Sequence, residues 1–378
     1  MNEALFDFGF VVTQPSTIKV IGVGGGGCNV VGKMYSKGVA NVDCIVCNTD
    51  LSALSENEVP DKVQLGISLT EGRGAGNLPE RGEEAARESQ EEIRSKLEDG
   101  TQLVFLVVCL GGGTGTGAAP VIAQIARELG IVTIAVVTTP ALAEGKKRHS
   151  QAQKGLADLK NNVDSMLQID GERLLSFYGD LSLSQVFDTS NELLRQTVRG
   201  LCNVITLPGD INIDFADVET VLAQSGRFLF GIGRATGKRR GLEALENALN
   251  TALLSKQELK KGDNFLLNMV TGDKELTMSE IGKIIDTLQE VAGTNADIIW
   301  GNAVNSELGD EVEVTLVVTG KEIKFKELQA KSSAKKQPAK QKIAGQTEEE
   351  PEKKNKSEDL INDWFFKQFN QLFDDDAS

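Results

Sequence analysis

From Thr17 to about Leu181, short runs of apolar residues alternate with longer stretches in which apolar positions recur every three or four residues. The runs at 18–23, 42–47, 103–109 and 131–137 are rich in Val, Ile and Leu and are bounded by glycine or polar residues, which predicts buried strands. The stretches near 28–37, 80–97, 118–129 and 147–162 have the spacing of amphipathic helices. Strand and helix in alternation predict a Rossmann-like α/β fold, a parallel sheet with helices on both faces. In such a sheet, ligands are expected beyond the carboxyl ends of the strands.

The pattern then changes. Val186, Phe187, Leu194, Val198, Leu201, Cys202 and Ile205 predict one long helix from Ser184 to Leu207, ended by Pro208-Gly209. A polar and apolar alternation, Asn212-Ile213-Asp214-Phe215-Ala216-Asp217, leads into a further helix over 218–223. Strands at 228–232, 264–270, 297–300 and 313–318, with helices at 241–254 and 277–291, predict a second, α+β domain. These readings divide the chain into a leader (1–16), a first domain (17–183), a central helix (184–209) and a second domain with its entry loop (210–325). A linker (326–357) and a terminal segment (358–378) complete it. Lys, Gln, Ala, Pro and Glu dominate the linker, a composition that cannot bury a core and predicts disorder. In the terminal segment Leu360, Ile361, Trp364, Phe365, Phe369, Leu372 and Phe373 share one face, which predicts a docking peptide.

Two glycine loops follow predicted strands. The first is Gly24-Gly25-Gly26-Gly27-Cys28-Asn29, after Ile18–Val23. The second, Gly111-Gly112-Gly113-Thr114-Gly115-Thr116-Gly117, carries five glycines in seven residues after Leu103–Cys109. Glycine lets backbone N–H groups approach a ligand, and a helix start behind them makes an anion site. Thr114 and Thr116 would add hydroxyl donors. Gly22-x-Gly24-x-x-Gly27, with Asp50 downstream, also fits a dinucleotide fingerprint. Gly27 to Lys33 fits most of a P-loop, but Met34 stands where Ser or Thr should hold Mg²⁺. Neither motif accounts for the second loop.

Composition narrows the field. The chain has 378 residues and a net charge of −15, which argues against general affinity for nucleic acid. Phosphate recognition would therefore rest on backbone dipoles rather than on net charge. Cys28, Cys44, Cys47, Cys109 and Cys202 lie in apolar or glycine-rich surroundings. Cys44-x-x-Cys47 falls inside a predicted strand, so these are expected to be buried thiols of a cytoplasmic protein rather than a redox or metal pair. No apolar run reaches the length of a membrane span. His149, the single histidine, follows Lys146-Lys147-Arg148 and is expected to be solvated.

The order GGGGCN, NTD, GRGAGNLPE, GGGTGTG, EGKKR and NIDFAD resembles the tubulin/FtsZ family over about residues 17 to 320. The resemblance implies a GTPase domain, a central helix, an activation domain and head-to-tail assembly into filaments that form the bacterial division ring at midcell. It implies that Gly25, Gly26, Gly27, Cys28, Gly112, Gly113, Thr114 and Gly115 cradle the phosphates of GTP or GDP. Ala75 and Gly76 would face the γ-phosphate. Asp50 would lie near a Mg²⁺ held largely through the nucleotide, with no dedicated metal ligand set in the protein. Glu144 and Arg148 would contact ribose and phosphate, Phe187 would stack on guanine, and Asn29 and Asn191 would bond its edge. Asn212, Asp214 and Asp217 would form a catalytic loop that enters the nucleotide site of the next subunit. The partners implied are further copies of the chain and a membrane-tethering division protein at the terminal peptide, with neither nucleic acid nor direct membrane insertion.

Four features depart from the family pattern. Cys28 and Gly171 stand where glycine and asparagine are usual, and the second change implies weaker nucleotide affinity. Ala141-Leu142-Ala143 lacks the usual phenylalanines, and the tail is aromatic and acidic rather than apolar and basic. Two competing readings are an NAD(P)-binding Rossmann oxidoreductase, which leaves GGGTGTG without a role, and a non-hydrolysing filament homologue, which Asp214 and Asp217 argue against.

Overall fold

The computed structural model describes residues 17–323 except 40, 179–182, 224, 252, 255, 294–295 and 322. The expected leader, linker and docking peptide lie outside the described residues, as does the side chain of Phe187. The first half runs β1 (Ile18–Val23), α1 (Gly24–Ser36), β2 (Asp43–Asn48), α2 (Leu51–Glu56), β3 (Asp61–Gln64) and α3 (Ile67–Thr70). It continues α4 (Pro79–Glu88), α5 (Gln90–Leu97), β4 (Leu103–Cys109), α6 (Thr114–Glu128), β5 (Val132–Thr139), α7 (Lys146–Lys160) and β6 (Ser165–Asp170). Then come α8 (Gly171–Tyr178), the long α9 (Leu183–Thr206), α10 (Phe215–Leu222), β7 (Gly226–Ala235), α11 (Arg240–Leu249) and α12 (Lys256–Leu259). The last elements are β8 (Asn264–Thr271), α13 (Met278–Ala292), β9 (Asp297–Val304) and β10 (Val312–Thr319).

The strands form one ten-stranded sheet in the order β3-β2-β1-β4-β5-β6-β7-β10-β8-β9. From β3 to β7 every neighbouring pair is parallel; β10 is antiparallel to both β7 and β8. The sheet is nearly pinched in two where β6 meets β7, since only Ser165 with Gly226 and Met166 with Arg227 pair there. Two cores lie on either side of that point. One packs β1, β2, β4 and β5 against α4, α5, α6 and α7. The other packs β7, β8 and β10 against α11 and α13. The α9 helix also packs on both β5 and β7. Its Gly200 lies against Phe230, and its Arg199 bonds Glu313 on β10 at 3.1 Å. Glu313 is buried and also takes Arg234 at 2.7 Å.

Several boundaries differ from the sequence pattern, each for a local reason. The first glycine loop is itself helical and the second turns helical at Thr114, so α1 begins at Gly24 and α6 at Thr114, both four residues earlier than the apolar periodicity suggests. The expected helix 80–97 divides at Ser89, whose hydroxyl accepts from Gly66 N. The β6 strand and the α2–β3–α3 segment escape the apolar pattern: Ser165–Asp170 and Asp61–Gln64 are too short and too polar to stand out. The expected buried thiols of Cys44 and Cys47 are indeed buried and free.

Candidate nucleotide site

The parallel strands end on one rim, and four loops meet there. The N-termini of α1 and α6 are in direct contact: a Cβ built on Gly24 would lie 2.7 Å from Gly115 N. Gly113 is pressed against the loop before α4, with Ala75 Cβ 2.9 Å from its own Cβ position. Thr114 Oγ1 pairs with Thr49 Oγ1 at 2.6 Å, which ties the second glycine loop to the end of β2. Asp50 follows at the N-terminus of α2, where its carboxylate accepts from Ala53 N at 3.1 Å. Two helix N-termini side by side concentrate unpaired N–H groups and the positive ends of two helix dipoles.

Within this cradle the glycines divide into two kinds. Gly24, Gly27, Gly113 and Gly115 are buried, and added side chains there would strike backbone or Ala75. Gly25 and Gly112 have open space beyond them, with nothing within 4 Å of an added Cβ. Gly25 and Asn29 lie one turn apart on α1, and both are exposed. Gly26 sits over Cys109, whose Sγ is 2.5 Å from the Cβ position. Cys28 turns the other way: its thiol donates to the carbonyls of Gly22 and Cys47, both at 3.4 Å. Burial pushes that thiol up to about 12, so Cys28 can offer a ligand its backbone but not a thiolate.

Gly76, Glu144 and Arg148 fall around the same rim. Gly76 is exposed beside buried Ala75, in a stretch where Glu71, Gly72, Gly74, Gly76 and Asn77 all have positive φ. Arg148 and Glu144 form an ion pair at 3.8 Å, and Arg148 O lies 3.1 Å from the Cβ position of Gly111. Glu144 also accepts from Ala141 N at 3.0 Å, so it shapes the loop after β5. Asn191 is half-buried on α9, which packs against α1. Thr116 differs from expectation. It is buried, and its hydroxyl accepts from Gly111 N at 2.8 Å, so it closes the loop instead of facing a ligand. Thr49 is legible in sequence only as part of Asn48-Thr49-Asp50; its bond to Thr114 spans 65 residues and leaves no local signal.

Asn212, Asp214 and Asp217 are not brought to this rim. They follow the far end of α9, whose 24 residues span about 36 Å. Asp214 and Asp217 form a reciprocal cap on α10: Asp217 N donates to Asp214 Oδ1 at 2.9 Å, and Asp214 N to Asp217 Oδ2 at 3.0 Å. Asn212 Oδ1 accepts from Gly209 N at 2.7 Å, and Ile211 is held on β9 by Asn302. Asn212 and Asp214 are exposed.

The parallel sheet, the paired glycine-rich helix starts and the long helix behind them define a tubulin-like GTPase fold. Residues 17–179 match the Tubulin/FtsZ family GTPase domain and residues 226–322 the FtsZ family C-terminal domain, and the chain belongs to this family. Among solved structures it is similar to an FtsZ dimer of M. jannaschii, with 38% identity and a TM-score of 0.75 over 80% of this chain and 88% of that one. A tryptophan-to-tyrosine mutant of the M. jannaschii FtsZ agrees equally well, with 38% identity and a TM-score of 0.75 over 80% of this chain and 90% of that one. The fold extends to CetZ2 of Haloferax volcanii, solved as a GTPγS-bound protofilament, at 20% identity and a TM-score of 0.68, covering 80% of this chain and 92% of that one.

Proposed function

We propose that the chain binds and hydrolyses GTP and assembles head to tail into filaments of a bacterial division ring, each active site being completed by the next subunit. The observation that carries this reading is the course of the chain after α9: Asp214 and Asp217 follow the C-terminal end of that long helix, and β7 then starts beside the first residue of β6, at the edge of the sheet opposite the glycine loops. No side chain spans such a length, so a second copy must supply the missing half.

The residues fit the nucleotide. Open backbone at Gly25 and Gly112, with Gly26, Gly27, Gly113, Thr114 and Gly115 around it, takes the phosphates, and Ala75 and Gly76 meet the γ-phosphate. Glu144 and Arg148 take ribose and phosphate, Phe187 stacks on the base, and Asn29 and Asn191 offer amides, donor and acceptor together, to its edge. Mg²⁺ fits as a companion of the nucleotide. Among the described residues no group of three or more His, Cys, Asp or Glu could hold a metal, and Asp50 contributes a single carboxylate at the rim. When bound, the ion offsets phosphate charge. The protein's own part is to fix the phosphates and, through Asp214 and Asp217 of the neighbour, to orient and polarise the attacking water. Asn212 holds the loop that carries them.

Among the described residues no helix is long and apolar enough to cross a membrane. We propose a cytoplasmic protein brought to midcell by a membrane-tethering partner at residues 358–378, with no nucleic-acid partner. Phosphate release measured against protein concentration tests the shared site. Specific activity should rise above a threshold with GTP, and NAD should not bind. Activity that stays flat down to dilute monomer would overturn shared catalysis, and ATP binding as tight as GTP would overturn guanine recognition.

A further inference from the structure

The α7 helix turns His149, Ala152, Leu156 and Leu159 inward, so the histidine expected in solvent is 5% exposed. Its Nδ1 lies 3.3 Å from Pro140 O. A carbonyl only accepts, so Nδ1 carries the hydrogen and Nε2 is left as an acceptor. Among the described residues the buried Nε2 has no hydrogen-bond partner, and neither does Thr139 Oγ1, one residue before Pro140. A leucine at position 149 would fill the same space without burying an unsatisfied nitrogen. The polar side chain is therefore costly unless its bond to Pro140 serves something.

Pro140 backs the second glycine loop. Its Cγ is 3.0 Å from the Cβ position of Gly111, and Arg148 O is at 3.1 Å. Gly111 has φ 104°, and its N–H is held by Thr116 Oγ1. Leu110 N donates to Thr138 O at 2.9 Å. The loop is thus clamped from its own helix, from β5 and from behind by the Pro140 ring. His149 is the side chain that ties the carbonyl of Pro140 to the helix carrying Arg148.

We infer that His149 is a positioning residue for nucleotide binding: through Pro140 it holds Gly111 in the conformation that aims the N–H groups of the following Gly112 and Gly113 at phosphate. This rests on the reading of the rim as a phosphate site. Three variants separate the bond from the packing. His149→Asn keeps a donor at the Nδ1 position, His149→Gln moves it to the Nε2 position, and His149→Leu removes it. With the full chain, GDP affinity is measured by calorimetry, melting by calorimetric scan, and exchange of the Gly111 to Gly113 amides by mass spectrometry without nucleotide.

His149→Leu and His149→Gln should melt close to wild type, bind GDP about fivefold more weakly, as one lost hydrogen bond predicts, and exchange the loop amides faster. His149→Asn should restore both affinity and protection. If the leucine variant does not fold, the contrast between asparagine and glutamine decides alone. Equal GDP affinity in all variants, or equal loss in asparagine and glutamine, overturns the inference while leaving the nucleotide site intact. A wild type that binds no guanine nucleotide overturns the functional reading and this inference with it.

Discussion

The backbone nitrogen of Gly115 sits where a side chain on Gly24 would begin, 2.7 Å from a Cβ built on Gly24. The two glycine-rich helix starts, far apart in the chain, form one surface because neither carries a side chain at the point of contact. Gly24 also has φ 71°, so alanine there meets both strain and a clash. Gly24→Ala should destabilise the fold by about 1–3 kcal/mol and abolish GTP binding. Gly25→Ala, with open space and no positive φ, should melt as wild type and still lose GTP affinity, because its methyl occupies the space of the phosphate. Denaturant unfolding and calorimetric titration of the two variants check this. Equal effects on both quantities in both variants would contradict the cradle.

Asp214 and Asp217 cap α10 as well as standing in the proposed catalytic loop, so alanine substitution confounds the two roles. Asparagine is as good an N-cap as aspartate. Asp214→Asn should therefore keep the melting temperature and GTP binding while losing most GTP turnover. Asp214→Ala should lose turnover and about 1 kcal/mol of stability besides. Mixing Asp214→Asn with a Gly25→Ala variant should recover part of the turnover, since one subunit offers the cradle and the other the loop. Full turnover by Asp214→Asn alone would exclude a charged role.

The family pattern, with asparagine usual at position 171, implies that Gly171 weakens nucleotide binding. The loop after β5 has closed onto that position: a Cβ on Gly171 would meet Thr139 O at 2.5 Å and Ala141 N at 2.6 Å. The small residues at Ala141 and Gly171 therefore belong together. Gly171→Asn should cost about 1–3 kcal/mol of stability from overpacking and should not improve GTP affinity. Tighter GTP binding by that variant, read by calorimetry, would show that the loop yields easily.

A pH effect is expected from α9. Burial works to raise the Glu192 carboxyl, but the hydrogen bonds and charge of Arg195, with Gln196, outweigh it and hold the group below its ordinary value of 4.5. A carboxylate depressed in the folded state contributes stability that is fully present above its unfolded pKa and is lost as pH falls through its folded one. Unfolding free energy should thus decline below about pH 4.5, and Glu192→Gln should decline less steeply over that range. Denaturant titrations from about pH 6 to about pH 3 would show it; parallel curves would remove Glu192 as a cause.

Local pattern determined a good deal. Apolar runs such as Leu103–Cys109 announce buried strands, the spacing from Val186 to Ile205 announces a long helix, and runs of glycine after strands announce backbone held near an anion. Each depends on residues a few positions apart, where chain geometry alone decides which side chains share a face. Tertiary structure decided whatever joins distant segments. It placed Thr49 on Thr114 and Gly24 against Gly115, and it joined two expected domains through one continuous sheet at Ser165–Gly226 and Met166–Arg227. It buried His149, whose basic neighbours suggested solvent, because the inward face of α7 runs through that position. It also brought the strand after α10 back to the start of β6, at the edge of the sheet opposite the glycine loops, where Gly226 pairs with Ser165.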